Sequence, residues 1–289
     1  MVRGTGGAVA NQWVVIHRVL ADQGGPLDSI RTDAGGRYRF RVRPDTGALY
    51  LTSTLYRGIG YFSEALDLRG RVRDTVPDLL VYDTSSTGAP IRLVRRLITI
   101  ARPKPDGARD ALEILELQNP GPATRVTDDT TRPVWSGRIP RQAIQFQVGQ
   151  GDLSPAAISL RGDSILVTGA LAPGPTKQVS VGYVLPGDLS RVVFRADQAT
   201  AELDFLLEDT TAKVIGAAAA MGVQPIEQRS FARYRAQQLR PGDSVIIEFP
   251  GGPFRVQSLL PYVIVLLIVI FAAAFFVALR RAPPPTSAR

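Results

Sequence analysis

Most of the chain consists of short runs in which apolar and polar residues alternate. In the run 201–208, for example, Leu203 and Phe205 alternate with Glu202 and Asp204, which is the two-residue period of a half-buried strand. Glycine and proline, 27 and 22 residues respectively, separate these runs and mark turns. The pattern predicts an all-β protein with strands at 8–17, 29–32, 38–42, 49–55, 64–68, 79–82, 92–101, 111–118, 143–148, 164–168, 178–184, 191–195, 201–208, 231–236 and 245–249.

Two of the predicted strands follow similar turns. Gly162 and Asp163 precede one apolar run, and Gly242 and Asp243 precede another. A Gly-Asp pair reverses the chain readily, because glycine adopts positive φ and the aspartate side chain can bond to nearby backbone. The repetition predicts that residues 78–250 form either one larger β-sandwich or two closely packed ones.

The alternation ends at residues 259–279, a run of 21 residues without a charge. A bilayer core about 30 Å thick needs about 20 apolar residues in a helix, so this run predicts one transmembrane helix. Pro261 suits the first turn and Tyr262 suits the headgroup region. Ala274 and Ala278 form a pair of small residues that could receive another helix.

Charges around the apolar run predict its orientation. Arg280 and Arg281 follow it directly, whereas the fifteen residues before it contain Arg255 as their only basic residue. The positive-inside rule then places the disordered tail 280–289 in the cytoplasm and the strands on the periplasmic side of a bacterial inner membrane. The connector 251–258 keeps the last strand close to the bilayer. Because the regions of a signal peptide do not precede the first strand, a tail-anchored cytoplasmic adaptor is the alternative.

The N-terminal strands carry a family pattern. The chain reads Val-Val-Ile-His at 14–17, Gly-Pro-Leu at 25–27 and Thr-Asp-Ala-Gly-Gly-Arg-Tyr-Arg-Phe at 32–40. Across residues 2–77 this resembles the carboxypeptidase regulatory-like (prealbumin-like) β-sandwich family, with its T-D-x-x-G-x-[YF]-x-F hairpin. The resemblance implies a small seven-stranded sandwich that serves as an extracytoplasmic adhesion, spacer or binding module, and it implies no catalysis.

The expected fold is therefore two consecutive β-sandwich domains, the first of them Ig-like or prealbumin-like, followed by one C-terminal transmembrane helix. The expected domains are 1–77, 78–250, the connector 251–258, the helix 259–279 and the tail 280–289.

The amino-acid composition limits the kinds of catalytic and binding site that the chain can form. The chain has no cysteine and one histidine, His17, so neither a Ser-His-Asp triad nor a zinc site of His and Cys can be assembled. The net charge of +8 comes from scattered arginines, since only three of the 34 basic residues are lysine, and no run of like charges predicts nucleic-acid binding. The chain is therefore predicted not to be an enzyme and to use no cofactor or small-molecule substrate.

A long loop at 119–133 is predicted to contact a partner. Asp128 and Asp129 lie in it, without the regular ligand spacing of a calcium loop. Trp135, directly after the loop, is expected to be a core or interface anchor. These three residues are the predicted partner contacts.

The predicted function is a periplasmic scaffold or accessory subunit that stabilises a larger integral-membrane complex. Its partners would be the lipid bilayer and integral-membrane protein subunits. The whole architecture resembles accessory subunits of bacterial photosynthetic reaction-centre and light-harvesting complexes. The alternatives are an extracytoplasmic carbohydrate-binding or adhesion module and the tail-anchored adaptor.

Overall fold

A computed structural model of the chain describes residues 1–45, 47–70, 74–129 and 131–250. These residues form 21 strands and one short 3-10 helix, Pro155–Ala157. The prediction of an all-β protein is confirmed.

In the described ranges, no helix has both the length and the apolar character needed to span a bilayer. The predicted connector 251–258, helix 259–279 and tail 280–289 all lie outside the described residues. The predicted anchor and packing residues Pro261, Tyr262, Ala274, Ala278, Arg280 and Arg281 lie outside them too.

The N-terminal region is built on a four-stranded antiparallel sheet with the order β3-β2-β4-β5, and β1 pairs with β6 in parallel. Its strands are β1 Val2–Arg3, β2 Trp13–Val19, β3 Gly24–Arg31, β4 Leu49–Tyr56, β5 Ile59–Phe62 and β6 Leu80–Val81.

The rest of the described chain contains a seven-stranded sheet, two three-stranded sheets and a two-stranded parallel pair. The strands are β7 Thr84–Ser85, β8 Arg92–Ile100, β9 Arg109–Gln118, β10 Thr124–Arg125, β11 Trp135–Arg138, β12 Ile144–Val148, β13 Ile158–Arg161, β14 Ser164–Val167, β15 Lys177–Leu185, β16 Arg191–Arg195, β17 Thr200–Leu207, β18 Lys213–Gly216, β19 Ala219–Ile226, β20 Arg229–Leu239 and β21 Ser244–Glu248. The seven-stranded order is β12-β15-β9-β8-β17-β20-β19, the three-stranded orders are β11-β14-β13 and β16-β21-β18, and β10 pairs with β7.

One face of the seven-stranded sheet packs against both three-stranded sheets. A single hydrophobic cluster joins residues of all three sheets, including Phe205 of β17, Val167 of β14 and Ile247 of β21. The ring of Phe194 on β16 meets that of Phe205 edge to face at 5.1 Å between centroids. The two layers form a β-sandwich-like arrangement around one core.

The two similar turns occupy equivalent places in the small sheets. Gly162 and Gly242 have φ of 60° and 99°, and the strands after them, β14 and β21, are each the central strand of a three-stranded sheet. The carbonyl oxygens of Asp163 and Asp243 each accept a hydrogen bond, at 3.0 and 2.9 Å, from the residue after the neighbouring edge strand. The repetition in the sequence therefore marks two similar sheets that share one core.

Two predicted N-terminal strands are not strands in the structure. Residues 38–42 form no assigned strand, and 64–68 contributes only one bridge, between Leu66 and Tyr50. Phe40 still packs on the small core around Tyr50. The alternation at 38–42 thus indicates which side chains are buried. A segment can bury one face without forming backbone hydrogen bonds to a neighbouring strand.

A tight turn precedes this segment. Asp33 Oδ1 accepts hydrogen bonds from the backbone N–H groups of Gly35, at 2.9 Å, and Arg37, at 2.8 Å. Gly36 has φ of 71°, and a Cβ there would lie 2.5 Å from the carbonyl oxygen of Met1. Only glycine fits this close approach.

The N-terminal core continues past residue 77. Leu79 and Val81 are buried in it with Val14, and β6 pairs with β1. The division of the chain into domains 1–77 and 78–250 stays a prediction.

The run 144–148 departs from its predicted alternation. Phe146 and Val148 pack on the large core, but Ile144 is 48% exposed. Gln145 has φ of 53°, and the pairing register shifts between Ile144 and Gln147. This bulge turns Ile144 to the outer face of the sheet.

A buried ion pair connects the layers. Arg96 Nε donates to Glu113 Oε2 at 2.9 Å, and Arg96 Nη2 donates to Glu113 Oε1 at 3.0 Å. Arg96 Nη2 also donates to the carbonyl oxygen of Arg138 on β11, in the opposite layer, at 2.7 Å. The hydroxyl of Tyr183 donates to Glu113 Oε1 at 2.5 Å. Burial and the negative charge of Glu113 raise the pKa of Tyr183 well above its usual value, so the hydroxyl keeps its proton.

Replacing Glu113 with Gln should lower the free energy of unfolding by about 3–5 kcal/mol, because Arg96 would keep its charge in the core without a counter-charge. Urea unfolding of the full chain in detergent measures the change. Glu116→Gln is the matched control, since Glu116 lies on the same strand but on the half-exposed outer face. Equal losses for both variants would show that the buried pair does not stabilise the layers.

Candidate functional site

The outer face of the seven-stranded sheet has an apolar centre, here called the large-sheet face. The register aligns Leu112, Thr99 and Leu206 in one row across β9, β8 and β17, and Ile114 with Leu97 in the next row. Leu112 is 44% exposed, and the other four are half-buried. Apolar side chains therefore lie side by side on a face that points away from the core.

A charged margin borders this centre at Asp204, whose side chain is 1% exposed. Asp204 Oδ1 accepts hydrogen bonds from Arg235 Nε at 2.9 Å and Arg233 Nη2 at 3.1 Å. Arg95 Nη2 reaches Oδ2 at 3.3 Å, and Arg235 also pairs with Glu202 at 2.8 Å. Three guanidinium groups are thus held in fixed positions around one carboxylate.

The arginines control the ionisation of Asp204. Burial alone would raise the pKa of this carboxyl, but hydrogen bonds from Arg235 and Arg233 outweigh burial and lower the pKa to about 2. Asp204 therefore stays charged at neutral pH and keeps its three arginines in place. An apolar centre with a preorganised polar margin is the usual anatomy of a protein–protein interface.

Trp135, a predicted partner contact, is buried at 5% exposure. Its ring belongs to the large core, and its Nε1–H donates to Gln198 Oε1 at 2.9 Å. A Cβ at Gly137 would lie 2.3 Å from the ring. The structure therefore places Trp135 as a core anchor, away from any exposed surface.

Asp128 and Asp129 lie beside a cavity of about 290 Å³ that Arg125 and Arg132 also line. Asp128 is exposed. Asp129 Oδ1 accepts two hydrogen bonds from Thr131, at 2.8 Å from its N–H and 2.5 Å from its hydroxyl, and these lower the pKa of Asp129. Asp129 therefore closes a turn, and Asp128 is the residue of the pair that is open to a partner.

A larger groove of about 1170 Å³ lies in the N-terminal region. Tyr38 and Phe40 line it, together with the exposed residues Arg37, Arg39 and Arg41. Burial raises the pKa of Tyr38. The groove combines partly buried aromatic rings with exposed arginines, and Asp33, Asp74 and Asp78 also line it.

The only histidine lies on β2, and its Nε2 is 2.7 Å from the hydroxyl oxygen of Ser53. In the described residues, no three or more His, Cys, Asp or Glu side chains come close enough together to hold a metal ion.

No protein-family model and no curated protein matches the chain. Solved structures do match. One is an M1 zinc metallopeptidase from Deinococcus radiodurans, with a TM-score of 0.36 and 8% identity over 57% of this chain and 43% of that chain. Another is a mutant of that peptidase bound to a Tyr-Ser-Ala substrate, with a TM-score of 0.35 and 9% identity over 55% and 42% of the two chains. The alignments span less than half of the length of those chains.

These matches correct the prediction that the chain is not an enzyme. That prediction is contradicted, because the solved structures found are zinc metallopeptidases. A likeness at a TM-score of about 0.36 and 8% identity carries no argument about a shared reaction or substrate.

Stability should depend on the ionisation of Asp204 at acid pH. Its folded pKa of about 2 lies below the unfolded value of about 3.9. The resulting contribution is fully present above about pH 4 and is lost as the pH falls toward 2. It amounts to about 2.5 kcal/mol. Urea unfolding between neutral pH and pH 2 should show this loss in the native chain and a smaller one in Asp204→Asn. Identical pH profiles for the two proteins would contradict the assignment.

Proposed function

We propose that the chain is a membrane-anchored accessory subunit that docks onto the extramembrane part of a larger membrane complex. The large-sheet face would be the docking surface for a protein subunit, and residues 259–279 would be the anchor. The proposed site is the periplasmic face of a bacterial inner membrane, with residues 280–289 in the cytoplasm. The resemblance of the whole architecture suggests a photosynthetic reaction-centre and light-harvesting complex as the host.

The large-sheet face is the observation that carries this proposal. Leu112, Leu97 and Ile114 lie side by side, and the arginines around Asp204 are already ordered before any partner arrives. Ordering side chains on binding costs free energy, so a margin that is fixed in advance favours association. Apolar contact in the centre would then supply affinity, and the charged margin would set the orientation.

The anchor is supported by the sequence. The uncharged run 259–279 starts ten residues after Phe249, and Arg280 and Arg281 follow it. Ten residues reach at most about 35 Å. The sandwich would therefore stay close to the bilayer, within reach of the extramembrane parts of integral-membrane proteins.

The first region is proposed to be a carboxypeptidase regulatory-like module that acts as a spacer or a second contact. The turn at Asp33, with Gly36 at positive φ, supports this assignment because it falls at the Thr-Asp and Gly positions of the family pattern.

A second candidate function is binding of an acidic surface polymer. The N-terminal groove favours it, since Arg37, Arg39 and Arg41 line it next to Tyr38 and Phe40. Binding of the full chain to an array of acidic and neutral glycans distinguishes this candidate. Retention of acidic glycans alone would support it, and no retention would exclude it.

Leu112→Glu should reduce co-purification of partner subunits in mild detergent at least about tenfold, because it places a charge at the centre of the docking surface. The fold should be unaffected, since Leu112 is 44% exposed. Leu55→Glu is the matched control, because Leu55 is 68% exposed on the four-stranded sheet. Full retention of partners by Leu112→Glu would contradict the proposed docking surface.

A further inference from the structure

The outer face of the sheet β16-β21-β18 has three regular rows, and it is here called the small-sheet face. Its middle row is apolar, with Val193, Ile246 and Ile215 in register across the three strands. Val193 and Ile215 are 37% and 47% exposed. Their neighbours Val192 and Phe194 point into the core. The apolar row therefore faces outward, whereas the opposite side of the same sheet packs in the core.

Basic residues lie on both sides of the apolar row. On one side the register aligns Arg191, Glu248 and Lys213, and on the other side Arg195 pairs with Ser244. Arg191, Arg195 and Lys213 are all exposed. With three basic residues and one acidic residue, the small-sheet face carries an excess of positive charge around an apolar strip.

The chain leaves the sandwich at the edge of this face. The backbone N–H of Phe249 donates to the carbonyl oxygen of Ser190 at 2.9 Å, and the guanidinium of Arg109 lies 4.0 Å from the centre of the Phe249 ring. These contacts fix the point of exit beside Arg191. Nine residues, 250–258, then separate it from the apolar run 259–279, a distance of at most about 30 Å.

We propose that the small-sheet face rests on a bilayer surface that contains anionic lipid. Arg191, Arg195 and Lys213 would contact phosphate-bearing headgroups, and the row of Val193, Ile246 and Ile215 would lie at the boundary between headgroups and acyl chains. This proposal rests on the proposed function, because it requires residues 259–279 to be inserted in the same bilayer.

The charge and the position of the face favour lipid over a protein partner. A basic surface with a narrow apolar strip matches anionic headgroups over a hydrophobic layer. The large-sheet face differs, because each of its three arginines is already paired with Asp204, Glu202 or both. The two faces lie on opposite sides of the sandwich, so lipid and protein contacts would not compete for the same surface.

Site-directed spin labelling of the full chain tests this inference. The sequence contains no cysteine, so Ile215→Cys gives a single label on the small-sheet face. Leu112→Cys gives the matched control on the opposite face. The chain is placed in nanodiscs of phosphatidylcholine alone or mixed with phosphatidylglycerol, and its elution with the nanodiscs is checked first. The accessibility of each label to oxygen and to a water-soluble nickel chelate is then measured.

In the mixed nanodiscs the label at Ile215 should become more accessible to oxygen, and its accessibility to the nickel chelate should fall at least about threefold relative to phosphatidylcholine alone. The label at Leu112 should not change. Replacing Arg191 and Lys213 with Gln should remove the difference between the two lipids.

Equal exposure of Ile215 to the nickel chelate in both nanodiscs would overturn the proposal while leaving the anchor intact. Shielding of Ile215 in native membranes but in neither nanodisc would also overturn it, and would assign the face to a protein subunit. Failure of the chain to elute with nanodiscs would refute the anchor and therefore both proposals.

Discussion

The constraint on which the structure depends is that one face of the seven-stranded sheet is covered by two separate small sheets. Neither small sheet could bury its apolar side alone, since a sheet that is hydrophobic on one face must pack that face against another element. Glu113, which is fully buried in the centre of the large sheet, is paired with Arg96, and Arg96 also bonds to the backbone of β11 opposite. The pair therefore fixes the position of one layer against the other. The pair is also a constraint on the sequence, because loss of either partner would leave an unpaired charge in the core and strongly destabilise the fold.

Much of the large sheet could be predicted from the sequence, because its strands alternate regularly. Leu203 and Phe205 point into the core and Asp204 points out, as the pattern indicates. What the pattern could not supply is the burial of Asp204 on that outer face, since Arg233 and Arg235 arrive from a strand about 30 residues away. The apolar centre of the large-sheet face is also not evident from the alternation alone. Both faces of β9 carry apolar residues, and this was the available signal for a second apolar surface.

Elsewhere the sequence gives little information about backbone pairing. The strand β19 is not predicted, because its glycine, proline and two alanines all have a low preference for strands and it forms only as the edge partner of β20. Conversely, 38–42 alternates like a strand and is not assigned as one. Among the predicted site residues, Trp135 is the clearest example. An aromatic residue after a long loop is equally suited to a core or an interface, and only the hydrogen bond to Gln198 and the close approach of Gly137 show that Trp135 belongs to the core.

The opposed outer faces of the sandwich are proposed to contact different partners, protein on the large-sheet face and lipid on the small-sheet face. Hydroxyl-radical footprinting of the full chain tests this most directly, by comparing native membranes with the purified chain in lipid-free solution. Leu112 and Ile215 should both be protected in membranes, whereas Phe62, 66% exposed on the four-stranded sheet, should stay reactive. If Leu112 and Ile215 were each as reactive in membranes as in the purified chain, neither face could be in contact with a protein or lipid partner.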